Sequence, residues 1–456
     1  MPGTDFLQLD ASDAPRHGLA DWLTSALRTG VADGRLPIGT KLPASRALAE
    51  QLGVSRGVVV EAYRRLTDEG LLAGRRGGGT SVSAAVAVRE QAPTEPPPTT
   101  GGLDLSPGLP DLSSFPRQAW LRAEREVLAA LPAAELGYGD PRGTPALREA
   151  LSAWLSRTRG IRAEPGEIVI VNGLAQGLSM LMQNLYDGGT RTVAFEDPGS
   201  SGTRKQVLHW GHDVVPVPVD DDGLDVDALR ATGAAHVVVT PAHQYPTGVV
   251  LGASRRRALA QWAKDGGLVV EDDYDAEHRY DRPPVAALQP MAPDNVVHFG
   301  TVSKTLAPAL RIGWMVAPPT IRTEIVERKR WSDMTSPALG QLTLARMITT
   351  GAFERHLRLV RSRHRERRDA LLAALARHLP TATVHGVAAG LHLMVVLPDV
   401  ADDIALVDRA RELGVVVHPL SWHRTRPGPA GLVIGYAAST PDRIAEGVRR
   451  IAAVVG

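Results

Sequence analysis

The apolar residues near the amino terminus recur at helical spacing in three short segments. The first segment covers residues 19–34 and the second covers 45–52, and Gly53 supplies the turn before the third. Ser55 is suited to cap the third helix, because its side chain can accept a hydrogen bond from a free N–H group of the first turn. One inward stripe at i, i+3, i+4 and i+7 marks this helix: Val59, Ala62, Tyr63 and Leu66.

A glycine-rich hairpin is predicted directly after these helices, because Gly70 ends the third helix and residues 71–82 carry glycines at a turn. Helices joined by a short glycine turn and followed by a basic hairpin form a winged helix-turn-helix, which binds DNA. The alternative is a helical module that binds protein. The expected DNA contacts lie on the second helix, the start of the third and the hairpin: Arg46, Ser55, Arg56, Gly57, Arg75, Arg76 and Gly77.

Farther along the chain, short β-branched runs alternate with helical stretches, which predicts an α/β fold. The runs are continuously apolar, so the sheet is expected to be mostly parallel and buried on both faces. Ligands in such sheets bind beyond the carboxyl ends of the strands, and polar clusters occur at those ends here. The predicted strands cover residues 167–171, 191–195, 214–219, 236–240, 268–270 and 296–299.

A proline-rich segment between these two patterns predicts a linker over residues 84–103, because it has neither helical nor strand periodicity. The predicted domains are therefore a DNA-binding domain over 15–83 and a second domain over 104–456.

Composition narrows the possible functions. Lys and Arg number 51 against 50 Asp and Glu, so binding to nucleic acid depends on a local basic surface. The absence of cysteine excludes disulfides and thiolate metal sites, and the 14 histidines show no metal-ligand spacing, so no metal is expected. With neither a signal peptide nor an apolar run of membrane-spanning length, we expect a cytoplasmic protein that joins the nucleoid when it binds DNA.

Lys304 is the strongest candidate for chemistry, because it lies among small and hydroxyl residues with Arg311 seven positions later. A lysine amine can condense with an aldehyde cofactor to form a Schiff base, while Thr301, Ser303 and Arg311 are suited to bind its phosphate. A lysine beside serine and threonine is usually a surface residue. Here an apolar stretch and a glycine follow it, which favours the cofactor interpretation.

Two further clusters follow predicted strands. Asp272 comes directly after the strand over 268–270 and could protonate a pyridine nitrogen, and Tyr274 could bond the ring hydroxyl. A solvated acidic face and a divalent-metal site are the alternatives for this acidic run. After the strand over 167–171, a glycine turn opens a helix whose first N–H groups suit an anion, and Tyr245 could line the ring edge. Those N–H groups belong to Leu174, Ala175 and Gln176.

These motifs resemble two known families. The head resembles the GntR class of bacterial regulators in Leu42–Arg46, Leu52–Arg56, Ala62–Tyr63, Glu69–Gly70 and Gly77–Thr80. The body resembles a fold type I aminotransferase in Leu105–Asp111, Tyr138–Gly143, Asn172–Gln176, Glu196–Gly199, His243–Gly248, Glu271–Asp275 and Ser303–Gly313. Joined in one chain, they resemble the MocR/GabR group of transcription factors.

The resemblance implies pyridoxal 5′-phosphate (PLP) on Lys304, with Asp272 at the pyridine nitrogen, Tyr274 at the ring hydroxyl and Arg311 at the phosphate. It implies a smaller carboxy-terminal α+β subdomain and a head-to-tail homodimer. We therefore expect a regulator of vitamin B6, amino-acid or amine metabolism genes. It would bind double-stranded operator DNA and sense PLP itself or its adduct with an amine or amino acid.

Two positions depart from the aminotransferase pattern. Ser200 stands where the family often has an aromatic residue stacked on the ring, and Val433 matches the arginine that binds the substrate carboxylate. Loss of that bidentate partner argues against full transamination. The alternatives are a working PLP-dependent aminotransferase with an accessory DNA-binding module, and a DNA-binding protein whose body is a degenerate dimerisation scaffold.

Overall fold

The computed structural model of the protein describes residues 14–15, 18–75, 79–83, 102–280 and 285–455. The chain forms two compact units, which we name the head (Met1–Thr99) and the body (Thr100–Gly456). Arg76, Gly77 and residues 84–101 of the predicted linker lie outside the described residues.

The head contains helices and a small antiparallel sheet in which β3 pairs with both β1 and β2. The edge strand β1 was not predicted; it is two residues long and therefore has no periodicity to detect. The elements are α1 (Leu19–Ala32), β1 (Lys41–Leu42), α2 (Ser45–Leu52), α3 (Arg56–Asp68), β2 (Leu72–Arg75) and β3 (Gly79–Val82).

The predicted inward stripe forms the centre of the head's core. Val59, Ala62 and Leu66 on α3 are fully buried against α1 and α2. Tyr63 belongs to the same stripe, and its hydroxyl donates a hydrogen bond to the Pro43 carbonyl at 2.9 Å. Ser55 occupies the N-cap position of α3 as predicted, but its side chain makes no capping hydrogen bond.

The body is built on a mixed, mostly parallel sheet with the strand order β5-β12-β11-β10-β9-β6-β7-β8. Within it, β12 and β8 run against their neighbours. The strands are β4 (Leu103–Asp104), β5 (Ile168–Val171), β6 (Thr192–Asp197), β7 (Asp213–Asp220), β8 (Gly223–Leu224), β9 (His236–Val239), β10 (Leu268–Asp273), β11 (Val296–Thr301), β12 (Gly313–Val316), β13 (Thr383–His385), β14 (His392–Val396), β15 (Val415–Val416), β16 (His418–Pro419) and β17 (Gly431–Gly435).

Helices cover this sheet, and apolar clusters that include its strand residues are buried between them. A second, antiparallel sheet in the order β13-β14-β17-β16 forms the smaller carboxy-terminal subdomain. The helices of the body are α4 (Arg117–Ala130), α5 (Pro145–Arg159), α6 (Leu174–Asp187), α7 (Ser201–His209), α8 (Val226–Ala231), α9 (Ala253–Lys264), α10 (Pro319–Ser332), α11 (Ala338–Thr349), α12 (Ala352–His378), α13 (Asp403–Glu412) and α14 (Pro441–Ala452).

Several strands of the body differ from the sequence-based predictions. Asp272 lies inside β10 rather than after it, because the parallel ladder continues and pairs Asp272 with Phe299. The strand β12 was missed; it runs antiparallel to β11, from the edge where β11 ends back toward the edge where β11 begins. Leu103, expected at the end of the linker, pairs with Val415 in β4 and is buried.

Candidate functional site

A cavity of about 230 Å³ lies at the carboxyl edge of the large sheet. Five of the predicted cofactor residues line it: Lys304, Asp272, Tyr274, Tyr245 and Leu174. They meet there because parallel neighbouring strands end at the same edge of a sheet. Ser200 and Gly108 also line this cavity, which we name the cofactor cavity.

Lys304 occupies the turn that follows β11, and its Nζ donates a hydrogen bond to the Gly108 carbonyl at 2.7 Å. Burial lowers the pKa of this amine, although the nearby carboxylates of Asp272 and Asp275 oppose the shift. A lower pKa increases the fraction of neutral, nucleophilic amine at neutral pH. The geometry and the charge of Lys304 therefore suit condensation with an aldehyde.

Two histidines hold the turn that carries Lys304. The His278 Nε2 donates to the Lys304 carbonyl at 3.0 Å, and the His356 Nε2 on α12 donates to the Thr305 carbonyl at 2.8 Å. Burial lowers the pKa of both imidazoles, to about 4 for His278, so both are neutral donors. The sequence offered no signal for them, because they bond to backbone atoms and lack a recognisable spacing.

Asp272 faces the cofactor cavity from β10. Burial raises the pKa of its carboxyl group to about 8, and the charges of Asp273 and Asp275 add to the increase. At neutral pH this carboxyl group therefore holds a proton that it can donate to a heteroaromatic nitrogen. On the opposite side of β10, Asp273 forms a buried ion pair with Arg159, with an Nε–Oδ2 distance of 2.6 Å.

Two tyrosines line the same cavity. The Tyr274 hydroxyl lies 3.2 Å from the His243 Nδ1, and that nitrogen lies 2.9 Å from the Asp275 carboxylate. Burial raises the pKa of Tyr274 and of Tyr245, so both hydroxyls keep their protons. Tyr274 can thus donate a hydrogen bond to a ring oxygen.

Glu196, which sequence reasoning did not select, connects strand ends beside this cavity. Its Oε2 accepts hydrogen bonds from the Thr240 hydroxyl at 2.7 Å and from the Gln244 amide at 3.2 Å. Burial raises the pKa of this carboxyl group to about 7. Its only sequence signal was its place in the quoted Glu196–Gly199 motif, which does not specify these partners.

Apart from Leu174, the predicted phosphate ligands lie beyond the described lining of the cofactor cavity. Thr301 Oγ1 lies 2.9 Å from Ser303 Oγ, in the turn before Lys304. The Arg311 guanidinium, in the chain entering β12, donates to the Asn172 carbonyl. A Cβ atom at Gly173 would come within 3.0 Å of this guanidinium, so glycine leaves room for Arg311 at the start of α6.

The start of α6 offers fewer free donors than expected. The Gln176 N–H donates to the Gly173 carbonyl at 3.2 Å, which leaves the Leu174 and Ala175 N–H groups from the predicted set. The Gln176 side chain instead donates to Asp333 at 2.6 Å, and Lys329 pairs with the same carboxylate. The Gln176 side chain therefore anchors the start of α6 to Asp333.

The two departures from the aminotransferase pattern have different surroundings. Ser200 caps α7 by accepting from the Thr203 N–H at 3.3 Å, and it lines the cofactor cavity. Val433 is fully buried on β17 with Met394 and Leu420, and Tyr245 packs against this cluster. The Val433 side chain thus lies in apolar surroundings.

In the head, the arginines predicted to contact DNA differ from other arginines in whether they form ion pairs. Arg46 on α2 and Arg56 at the start of α3 are exposed and form no ion pair within the described residues. Arg64 and Arg65, farther along α3, both pair with Glu61. Ser55 and Gly57 are also exposed at the start of α3, and Arg75 ends β2.

The basic run on α12, over Arg355–Arg368, has both exposed and buried arginines: Arg355, Arg358, Arg363 and Arg365 are exposed. Arg367 and Arg368 are buried, and both Arg363 and Arg367 pair with the buried carboxylate of Asp111. Charge runs usually form a solvated helix face, but Arg367 and Arg368 depart from that pattern. Across the described ranges, we find neither a helix able to cross a membrane nor a cluster of three or more potential metal ligands.

The head is a winged helix-turn-helix, and the body has the fold and lysine-bearing cavity of a PLP-dependent aminotransferase. Residues 100–451 match the model of aminotransferase class I and II, and residues 19–82 match that of the bacterial regulatory proteins of the gntR family. The chain belongs to the MocR/GabR group of transcriptional regulators, which joins these two domains.

Two relatives match this chain over nearly its whole length. The chain is 33% identical to the HTH-type pyridoxine biosynthesis transcriptional regulator PdxR of Corynebacterium glutamicum, covering 92% of each chain. It is 31% identical to the probable rhizopine catabolism regulatory protein MocR of Rhizobium meliloti, covering 96% of this chain and 94% of that one. The body also resembles the α-aminoadipate aminotransferase LysN of Thermus thermophilus, solved with N-(5′-phosphopyridoxyl)-L-leucine. That comparison has a TM-score of 0.71 and 28% identity, covering 78% of this chain and 93% of that one.

Proposed function

We propose that this transcriptional regulator binds PLP in the cofactor cavity and changes its operator affinity in response. One observation carries the proposal: a buried lysine amine, a buried carboxyl group and a tyrosine hydroxyl line one cavity. PLP supplies an aldehyde that condenses with amines and a ring that withdraws electrons. The pyridoxine biosynthesis role named for the relative from C. glutamicum supports vitamin B6 metabolism as the regulated process.

The residues present fit this cofactor. Lys304 would hold the aldehyde carbon, Asp272 would donate to the pyridine nitrogen and Tyr274 to the ring oxygen. The positive end of α6 and the guanidinium beside Gly173 suit a phosphate. These donors are Arg311, Thr301, Ser303 and the N–H groups of Leu174 and Ala175.

We infer that regulation, rather than transamination, is the main role of the site. Val433 provides no charge for a substrate carboxylate, and its neighbours Met394 and Leu420 are apolar. The retained lysine and carboxyl group nevertheless favour residual transamination as a second candidate function. Consumption of an amino donor together with a keto acid, followed by the release of both products, distinguishes the two functions.

We propose that the head binds DNA through arginines that form no ion pair with another residue in the described part of the chain. Arg46 and Arg56 would contact phosphates or base edges, with Ser55 and Gly57 allowing close approach at the start of α3. The hairpin residues Arg75, Arg76 and Gly77 would extend the contact.

We further propose that the protein is a homodimer, as paired operator half-sites require. Exposed apolar side chains on the body provide a surface to bury: Tyr138 is 84% exposed and Trp331 is 81% exposed. Sedimentation of the purified protein at micromolar concentration tests this proposal. A monomer at that concentration would contradict it.

The experiment that tests the function measures operator binding by fluorescence anisotropy with and without PLP. We expect PLP to shift the operator affinity of the wild-type protein several-fold, since regulatory couplings are typically about 1–3 kcal/mol. Lys304→Ala should bind the operator with the affinity of the PLP-free protein and show no shift. An identical PLP response in both proteins would overturn the proposal.

A further inference from the structure

A second cavity, of about 380 Å³, lies between the large sheet and the carboxy-terminal subdomain of the body. Its walls come from the ends of β6 and β7, from β14 and from the loop over residues 424–429. This volume is within the range of small-molecule sites. We name it the rear cavity.

The rear cavity is separate from the cofactor cavity, because the two share no lining residue in the described chain. Tyr245 lines the cofactor cavity and packs against Met394 and Leu420, which line the rear cavity. Neighbouring residues of one segment line different cavities: Pro198 lines the rear cavity, whereas Ser200 lines the cofactor cavity. A thin wall of side chains thus divides two sites.

Arg424 supplies the rear cavity with a positive charge that has no ion-pair partner among the described residues. Its side chain lines the cavity and makes no hydrogen bond or ion pair with any described residue, and its Nε is buried. The nearest carboxylates already have other partners. Asp197 accepts from the Thr425 N–H and hydroxyl, and Asp403 accepts from the Ser421 N–H and hydroxyl.

Burial lowers the pKa of Arg424, because a partly buried guanidinium loses hydration; the charges of Asp403 and Asp197 oppose this shift, although neither carboxylate forms an ion pair with the guanidinium. An anionic ligand would supply the missing partner, and a carboxylate matches the planar guanidinium in a bidentate arrangement. A second cation, Arg426, lines the same cavity at its exposed rim.

The remaining lining favours an apolar ligand body. Val219, Val249, Met394, Val396 and Leu420 form much of the wall. The cavity also contains acidic groups, of which Asp220 is paired with Arg255 at 2.8 Å and Asp221 is exposed.

Gly428 determines where the Arg424 head group lies. A Cβ atom at this position would come into contact with the guanidinium, well inside van der Waals distance. The φ angle of Gly428 lies outside the left-handed region, so alanine there is compatible with the backbone. Gly428→Ala therefore moves the charged group without removing it.

We propose that the rear cavity binds a small organic carboxylate with an apolar body, held by Arg424. The proposal is independent of PLP binding. It identifies a second effector site next to the cofactor cavity, with Tyr245 as the shared wall.

Calorimetric titration of the full-length protein with benzoate tests the proposal, with neutral benzamide as the matched ligand. We expect saturable benzoate binding and an affinity for benzamide at least about tenfold weaker, because benzamide lacks the charge. The titration is repeated with PLP present. A protein that fails to bind PLP but binds benzoate would refute the proposed cofactor and support this site.

Three variants locate the binding. Arg424→Gln and Gly428→Ala should each weaken benzoate binding at least about tenfold, while the visible absorbance with PLP stays as in the wild type. Arg230→Gln, which changes an exposed arginine on α8, should leave binding unchanged. The proposal is overturned if no saturable binding occurs below about 10 mM benzoate. The proposal is also overturned if Arg424→Gln binds benzoate as tightly as the wild type, or if PLP displaces the bound benzoate.

Discussion

Two ionisable residues of the cofactor cavity have pKa shifts in opposite directions for the same reason. Burial removes water from the charged form, so it raises the pKa of Asp272 and lowers that of Lys304. In the protein without PLP, the Asp272 carboxyl group is therefore mostly protonated near neutral pH, and a larger fraction of the Lys304 amine is neutral than for an exposed lysine. A neutral amine and a protonated acid are the forms that a carbonyl and a pyridine nitrogen require.

This raised pKa predicts the pH dependence of stability. The folded Asp272 has a pKa of about 8 and the ordinary value is 3.8, so the folded protein binds more protons between these values. The contribution of Asp272 to stability therefore falls as pH rises through this range. In Asp272→Asn without PLP, the free energy of unfolding should decline less steeply, by up to about 1.4 kcal/mol per pH unit.

Chemical denaturation between about pH 5 and pH 8 measures this slope. Asp213→Asn, at an exposed position, is the control and should keep the wild-type slope. Equal slopes for Asp272→Asn and the wild type would show that Asp272 is ionised in the folded protein.

The helix α12 supports the turn that carries Lys304, because His356 donates a hydrogen bond to the Thr305 carbonyl in that turn. His356→Leu leaves that buried carbonyl without its donor, which costs about 1–3 kcal/mol. We expect PLP affinity, measured by absorbance titration, to fall about tenfold or more because the turn carrying Lys304 loses its support. His356→Gln retains a donor and should recover most of the affinity. If both variants bind PLP like the wild type, His356 has no positioning role.

The arginines of α2 and α3 differ in whether they form ion pairs within the described residues, which predicts unequal effects of their substitution on operator binding. Arg46→Ala and Arg56→Ala should each weaken binding and reduce the magnitude of the salt slope by about 0.9 if each contacts one phosphate. Arg64→Ala is the matched control, because Arg64 is paired with Glu61 and Asp68. Anisotropy at several salt concentrations measures these slopes. A larger loss for Arg64→Ala than for Arg56→Ala would contradict the assignment.

At the scale of elements, periodicity was sufficient for the head helices and for the buried strands of the body. It failed for β1 and β12, which are short and whose pairing depends on distant residues. Lys304 and Asp272 could be predicted because each lies at or near the end of an apolar run. His278 and His356 could not, since their roles arise from tertiary contacts with a backbone turn.

At the scale of the whole molecule, the chain combines a DNA-binding head with a body whose cavity retains an aminotransferase's lysine and carboxyl group. The body keeps the groups that suit a cofactor, while Val433 lies among apolar side chains. The combination favours sensing over turnover. A body with the fold of an enzyme can act in gene regulation in this way, because the free energy of ligand binding can shift the conformation of the body.

The central claim is that PLP condenses with Lys304. Borohydride reduction of the PLP-treated protein, followed by peptide mapping with mass spectrometry, tests it most directly. We predict one phosphopyridoxyl group, located on Lys304 and absent from Lys304→Ala. A modification at another lysine, or no stable adduct, would contradict the account.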